Sequence, residues 1–192
     1  MIRICEVAGG LKTAFTASGV ETPIYHVVRR CKGYEERSYL ASAWVSTKVT
    51  SMSMSEARST AFWRLFKYIQ GENNQGIQIP MTAPVTTKVV PGAGPNCESS
   101  FTMAFYIGVQ HSANPPSPTN PQVFLHKQGP QQVYVRQFGG FAKEADWIQE
   151  AHTLAQILPI SASYEKDFYY TVGYDAPHRI HNRTNEIWFL KR

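Results

Sequence analysis

The order of the predicted secondary structure elements repeats along the chain, and this repeat constrains the fold more strongly than any single motif. In each half, two short strand-like segments precede a helical segment and two more follow it. The helices are predicted over residues 54–70 and 142–158, where a glycine and a proline end them. The sequence therefore predicts an α+β domain of two β-β-α-β-β pseudo-repeats, at about residues 34–108 and 122–191.

The predicted strands are short segments bounded by turn residues, and several of them alternate apolar and polar side chains. They lie at 34–39, 43–49, 77–89, 100–107, 123–126, 132–138, 168–174 and 186–190. Pro80 and Pro84 interrupt one of them, and proline cannot donate a hydrogen bond to a sheet ladder. We therefore expect residues 77–89 to form an irregular apolar edge beside the first helix, a plausible wall for a flat ligand. A proline-rich segment at 110–121 is predicted to be an exposed connector between the halves.

The length and charge of the chain exclude several classes of protein. Its 192 residues suit one domain, which we place at residues 20–192 after a flexible N-terminal extension at 1–19. The formal net charge of +5 comes from scattered lysines and arginines, so nucleic acid binding is not expected. The sequence has no run approaching the roughly 20 apolar residues that cross a bilayer, so no membrane span is expected.

The cysteines and histidines indicate neither a disulfide framework nor a metal site. Cys5, Cys31 and Cys97 are odd in number and far apart, which makes a disulfide framework improbable and favours a reducing compartment and a cytoplasmic protein. His178 and His181 are three residues apart in a predicted loop without a third ligand nearby, so no zinc site is expected. The common nucleophile-elbow, phosphate-loop and zinc-protease motifs are absent from the sequence, and we expect no enzyme.

The first helix carries a wider apolar surface than one sheet can bury. Phe62, Trp63 and Phe66 extend its core-facing arc to about 220°. Phe62 and Phe66 are spaced i, i+4 and line one edge of the helix, with Lys67 just beyond that edge. These side chains either pack under another element or receive a ligand or a partner. The second helix instead confines its apolar residues to one core-facing arc of about 120°, namely Trp147, Ile148, Ala151, Leu154, Ala155 and Leu158.

Several motifs together resemble the SOUL heme-binding family. They occur in order along nearly the whole chain: Val-Glu-Thr-Pro at 20–23, Tyr-Glu-Glu-Arg at 34–37, Trp-Val-Ser-Thr at 44–47, Met-Thr-Ala-Pro-Val at 81–85 and Phe-Tyr-Tyr-Thr-Val-Gly-Tyr-Asp at 168–175. The segment at 137–146 is similar to the cytosolic p22-type members in particular.

The resemblance implies a distorted antiparallel β-barrel of two pseudo-repeats with two flanking helices. It also implies a soluble carrier or buffer that binds heme or a related tetrapyrrole non-covalently. The implied site joins the aromatic edge of the first helix to a loop near the C-terminus, where basic side chains would pair with the propionates. On this chain the candidate residues are Phe62, Trp63, Phe66 and Lys67 from the helix and His178 and Arg179 from the loop.

One position departs from the family pattern. Some members are proposed to ligate iron through a histidine where this chain has Ser38, and serine is a poor axial ligand. We therefore expect porphyrin binding without a strong iron bond, with His178 as the nearest alternative ligand. Two other functions remain open: the aromatic edge could receive a protein partner, or the domain could sense small molecules, because bacterial effector-binding domains share this doubled architecture.

Overall fold

The structure is a computed structural model that describes residues 5–7, 11–12, 16, 19–94, 96–176 and 178–192. The described residues form eleven strands and three helices. In chain order these are β1 (Cys5–Val7), β2 (Leu11–Lys12), β3 (Tyr25–Cys31), β4 (Tyr34–Tyr39), β5 (Ser42–Ser51), α1 (Met54–Ile69), β6 (Val85–Val90), β7 (Ser99–Ile107), α2 (Val109–Ser112), β8 (Val123–Gln128), β9 (Gln131–Phe138), α3 (Glu144–Ile157), β10 (Tyr169–Gly173) and β11 (Asn185–Leu190).

The strands form one antiparallel sheet, in which the eight strands of the two pseudo-repeats are ordered symmetrically about the β10–β6 pair. The order is β1-β3-β4-β9-β11-β10-β6-β7-β5-β8, and β2 also pairs with β3. Outward from the β10–β6 pair, corresponding strands of the two halves take corresponding places: β11 and β7, then β9 and β5, then β4 and β8. The first strand of each half therefore pairs with the second strand of the other half, and this exchange ties the halves into one sheet.

The predicted closed barrel is not confirmed, since the described strands form an open sheet. The strand path runs from β1 to β8, and no pairing between described residues joins these two ends. The reason is β3, a strand that the sequence analysis did not predict. It pairs with the outer edge of β4, where strand β8 would have to bind to close the sheet. The prediction of an α+β fold with a large antiparallel sheet is confirmed, with three helices instead of two.

The two long helices pack in equivalent ways on the two halves of the sheet. α1 begins after Ser53, whose hydroxyl accepts a hydrogen bond from the Glu56 N–H at 3.3 Å, as an N-cap does. α1 packs on β5 and β7, and α3 packs on β9 and β11. The buried residues of α1 are Met54, Ala57, Ala61, Leu65, Tyr68 and Ile69. On α3 the predicted core-facing arc is only partly buried, because Ile148 and Ala155 are exposed.

The opposite face of the sheet contains a buried ion pair. Arg37 on β4 and Glu186 on β11 lie 2.9 Å apart, Nη2 to Oε1, with side chains 4% and 3% exposed. Trp188 Nε1 and the Tyr174 hydroxyl also donate to Glu186, at 2.8 and 3.0 Å. A buried carboxylate needs such partners to offset the loss of its hydration. The pair therefore fixes the relative positions of a strand from the first half and a strand from the second.

The prediction that the chain has no disulfide framework is wrong for one pair of cysteines. Cys5 and Cys31 form a disulfide, and Cys97 is an exposed free cysteine. Spacing along the sequence could not show this pair, because it depends on the β1–β3 register that places the two Cα atoms 4.3 Å apart. The cysteine content therefore does not support a reducing compartment.

Two predictions around α1 also need correction. The strand predicted over 77–89 begins only at Val85, because the two prolines before it cannot donate to a ladder. The proline-rich connector is not simply exposed. Its Pro116 is buried and accepts a hydrogen bond from the Tyr68 hydroxyl at 2.8 Å, so the connector packs against the end of α1.

Replacement of Glu186 by alanine should destabilise the fold, because it removes the buried carboxylate beside the Arg37 guanidinium and leaves that charge to the partly exposed Glu35. Removal of one member of a buried ion pair costs about 3–5 kcal/mol, so the free energy of unfolding measured in urea should fall by that order. Glu165→Ala removes a solvent-facing pair with Arg192 and is the matched control. Equal unfolding midpoints for the two variants would contradict the role given to Glu186.

Candidate functional site

A cavity of about 460 Å³ lies beside α1, where the two halves of the sheet meet. It is formed by one edge of α1, the segment that precedes β6 and the segment that follows β10. Val85, the first residue of β6, pairs with Gly173, the last residue of β10. Because the two segments leave the sheet at this same register position, they enclose the cavity together with the helix.

Phe62 and Phe66 form an apolar wall of this cavity. Their ring centroids are 5.7 Å apart and the ring planes are inclined by 15°, so the two rings are stacked along the edge of α1. Phe105 on β7 contacts Phe62 edge-on, with centroids 5.5 Å apart, and holds it in place. Trp63 stands perpendicular to Phe66 at 5.6 Å, but it is 56% exposed and lies outside the cavity lining.

The segment before β6 forms a second wall and is held by backbone contacts. The Thr82 hydroxyl donates to the Tyr106 carbonyl at 2.6 Å, and the Ala83 N–H donates to the Glu21 carbonyl at 2.9 Å. The second contact also brings Val20 to the cavity. This irregular segment is therefore anchored at both residues, although it has no strand partner.

The loop after β10 contributes the charged groups of the site. Arg179 pairs with Asp175, Nη1 to Oδ1 at 2.9 Å, and its side chain remains 42% exposed. Arg183 donates to the carbonyls of Ala176 and Arg179, both at 2.8 Å, which fixes the shape of the loop. The loop thus places Arg179 and His178 at the cavity. Because Arg179 already pairs with Asp175, only part of the positive charge of Arg179 is free to attract an anionic group.

The structure brings four of the six candidate residues to one cavity and leaves two outside it. Those in the lining are Phe62, Phe66, His178 and Arg179. Trp63 supports the phenylalanine wall from outside. Lys67 is 61% exposed, and its Nζ lies 3.9 Å from the Glu72 carboxylate. A residue next to Phe66 is rotated by about 100° around the helix, which explains why Lys67 does not border the cavity.

Three further residues line the cavity although no pattern in the sequence marked them as site residues, namely Val20, Met81 and Tyr174. Val20 and Met81 lie within motifs that carry the family resemblance, but a motif does not show which way a side chain points. Tyr174 could be considered as an iron ligand, because tyrosinate ligates some haems. Burial, and then the Glu186 carboxylate, raises the pKa of Tyr174 well above its usual value. Its neutral hydroxyl donates to Glu186, so Tyr174 does not fit that role.

The described part of the chain contains neither a metal site nor a membrane-spanning helix. There, no group of three or more His, Cys, Asp or Glu side chains could hold a metal ion. Nor is any described helix both long and apolar enough to cross a membrane. What the cavity beside α1 offers a ligand is therefore mainly apolar contact, together with Arg179 and the imidazole of His178.

The fold defines an α+β domain with a cavity of the size that small-molecule ligands occupy. Comparison with known proteins shows its family. The family model described as SOUL heme-binding protein matches residues 20–190. Human Heme-binding protein 2 is 38% identical over 181 residues, which cover 92% of this chain and 88% of that protein. Heme-binding protein 1 of Xenopus laevis is 35% identical over 158 residues, covering 82% and 83%. The chain belongs to the SOUL heme-binding protein family.

One solved structure shows a similar fold at very low sequence identity. The C-terminal domain of EcmrR superposes with a TM-score of 0.55, covering 83% of this chain and 96% of that domain. Its sequence identity to this chain is 8%, so the similarity concerns the fold alone.

Proposed function

We propose that this chain binds heme or a related tetrapyrrole in the cavity beside α1, non-covalently and without catalysing a reaction. Its family and its similarity to proteins named for heme binding support this proposal. The observation that carries it is the stacked aromatic pair of Phe62 and Phe66, which borders the same cavity as Arg179. A planar apolar macrocycle with acidic substituents needs an apolar wall with a cation nearby.

The residues of the cavity favour contact with the tetrapyrrole macrocycle over a strong bond to its iron. The volume of about 460 Å³ lies in the range of small-molecule sites, and apolar side chains come from three elements. Ser38, at the position where a histidine ligand is proposed for some relatives, lies on β4 and outside this cavity. His178 borders the cavity and is the side chain best placed to reach the iron. Apolar contact and propionate pairing therefore account for binding without a strong axial bond.

Reversible binding of this kind suits a carrier or a buffer, and we propose that role in the cytoplasm. A protein that holds a porphyrin by apolar contact can release it to another protein without breaking a metal–ligand bond. The partial exposure of Arg179 also favours exchange, because ion pairs near solvent contribute little free energy.

A protein-interaction or small-molecule-sensing module is a second candidate function, and the exposure of Trp63 favours a protein partner. Trp63 is 56% exposed beside the cavity, and exposed tryptophans often anchor protein interfaces. A partner that stays bound when porphyrin is added, and is lost in Trp63→Glu, would favour this function. A change of the Soret band on addition of hemin to the purified chain would favour the first.

The double substitution Phe62→Glu and Phe66→Glu should abolish tetrapyrrole binding. It places two carboxylates in the apolar wall, where unpaired charges are poorly tolerated, so hemin affinity measured by Soret absorbance should fall at least about 100-fold. Trp63→Glu is the matched control on the same helix, and it should keep both the fold and most of the affinity. Circular dichroism shows whether each variant folds, and Phe66→Glu alone serves if the double variant does not. Unchanged affinity in a folded double variant would exclude this cavity as the site.

Arg179→Ala should weaken the binding of porphyrins that carry free propionates. Because Arg179 is half exposed and shared with Asp175, we expect the dissociation constant of protoporphyrin to rise only about two- to fivefold. The same variant should bind protoporphyrin dimethyl ester as the unmodified protein does, since the ester has no carboxylate to pair. Lys67→Ala, which removes a cation outside the cavity, should have a smaller effect. An equal loss of affinity for the acid and the ester would show that Arg179 does not pair with propionates.

A further inference from the structure

The protein has a second cavity of about 460 Å³, beside α3 rather than α1. It is formed by one edge of α3, the segment that precedes β10 and the segment that follows β6. The cavity beside α1 is formed by α1, the segment that precedes β6 and the segment that follows β10. Each element around one cavity therefore has its counterpart around the other: α3 corresponds to α1, and β10 corresponds to β6.

The register of the central strand pair extends this relation to single residues. At one end of the β6–β10 junction, Val85 pairs with Gly173, and both border the cavity beside α1. At the other end, Val89 pairs with Tyr169, and both border the cavity beside α3. The two cavities thus lie at opposite ends of one strand pair, and the pseudo-twofold symmetry of the sheet relates them.

The side chains on the helix edges that face the two cavities differ in size. α1 presents Phe62 and Phe66 at i, i+4, whereas α3 presents Ala151 and Ala155 at the same spacing. Ile148 on the same edge of α3 is 43% exposed, although it borders a largely apolar concave surface. Several lining residues of this cavity are buried apolar side chains, namely Met54, Val89, Phe101 and Phe189. Concave apolar surface of this kind is typical of a ligand site.

The acidic and basic side chains around the second cavity are balanced in sign, and the lining also contains the imidazole of His152. Glu165 is held by Arg192, with Nε and Nη2 each 3.0 Å from a carboxylate oxygen. The remaining charged residues of the lining, Glu144 and Lys166, are opposite in sign. Burial, and then Glu144, raises the pKa of Tyr169 to about 12, so its hydroxyl is neutral.

We propose that the cavity beside α3 binds a small, uncharged, largely apolar molecule that contains an aromatic ring. Tyr164 and Phe189 are stacked with centroids 4.8 Å apart and planes inclined by 16°, and they offer the ring an aromatic surface. Ile148 and the alanine edge of α3 contact the apolar parts of the ligand outside its ring. The Tyr169 hydroxyl is available to hydrogen-bond one polar atom of the ligand. This site is separate from the proposed tetrapyrrole site and does not depend on it.

Titration of the full chain with N-phenyl-1-naphthylamine, an uncharged fluorescent probe, tests this proposal. We expect saturable binding of one probe per chain. Filling the cavity with Ala151→Phe and Ala155→Phe together should lower the affinity at least about tenfold, because the new rings occupy the space of the probe. Phe62→Glu with Phe66→Glu should change the affinity less than twofold, and Ala155→Phe should bind hemin as the unmodified protein does. The last two results keep a failure here distinct from a failure of the tetrapyrrole proposal.

Replacement variants at exposed positions and a charged probe complete this test. Ala151 is partly buried, so if the double variant does not fold, Ile148→Glu and Ala155→Phe at exposed positions take its place. Absence of saturable binding would overturn the proposal, as would unchanged affinity in these folded variants or loss of binding in the phenylalanine variant of α1. Tighter binding of 1-anilinonaphthalene-8-sulfonate by tenfold or more would overturn the uncharged class, since this probe adds a sulfonate to the same ring system.

Discussion

The antiparallel pairing of β6 with β10 is the contact on which the rest of the structure depends. It joins the two halves of the sheet, and the other strands of the two pseudo-repeats follow outward from it in matching order. It also decides where cavities form, because the chain leaves the sheet at both ends of this pair and each exit is covered by a helix. The buried pair of Arg37 and Glu186 then locks the halves together from the opposite face.

Near-symmetry of the backbone does not make the two cavities chemically alike. The edge of α1 carries two stacked phenylalanines and meets a loop with Arg179, which suits a flat ligand with acidic substituents. The edge of α3 carries alanines and meets balanced charges, which suits a smaller uncharged ligand. A duplicated scaffold can thus present two different binding surfaces while the core beneath them keeps the same arrangement of strands and helices.

Local patterns predicted the elements well, and long-range pairing explains most of the errors. Helical periodicity located α1 and its core face, and the excess apolar arc belongs to Phe62 and Phe66, which are partly buried, and to Trp63, which is exposed. The open sheet depends on β3 pairing with β4, and the disulfide depends on the β1–β3 register, neither of which leaves a local pattern. The exclusion of Lys67 from the cavity was also not predicted, because its 100° rotation from Phe66 excludes it only once the position of the neighbouring loop is known.

Paired titration of the purified chain with hemin and with metal-free protoporphyrin tests the central claim most directly, with Soret absorbance and tryptophan fluorescence as the two readouts. A cavity that holds the macrocycle by apolar contact and propionate pairing should bind both ligands saturably, with dissociation constants within about threefold of each other. Binding of hemin alone would contradict this account, because it would require a protein ligand to the iron, and His178→Ala would then be the first variant to measure. Binding of neither ligand would contradict the tetrapyrrole function itself.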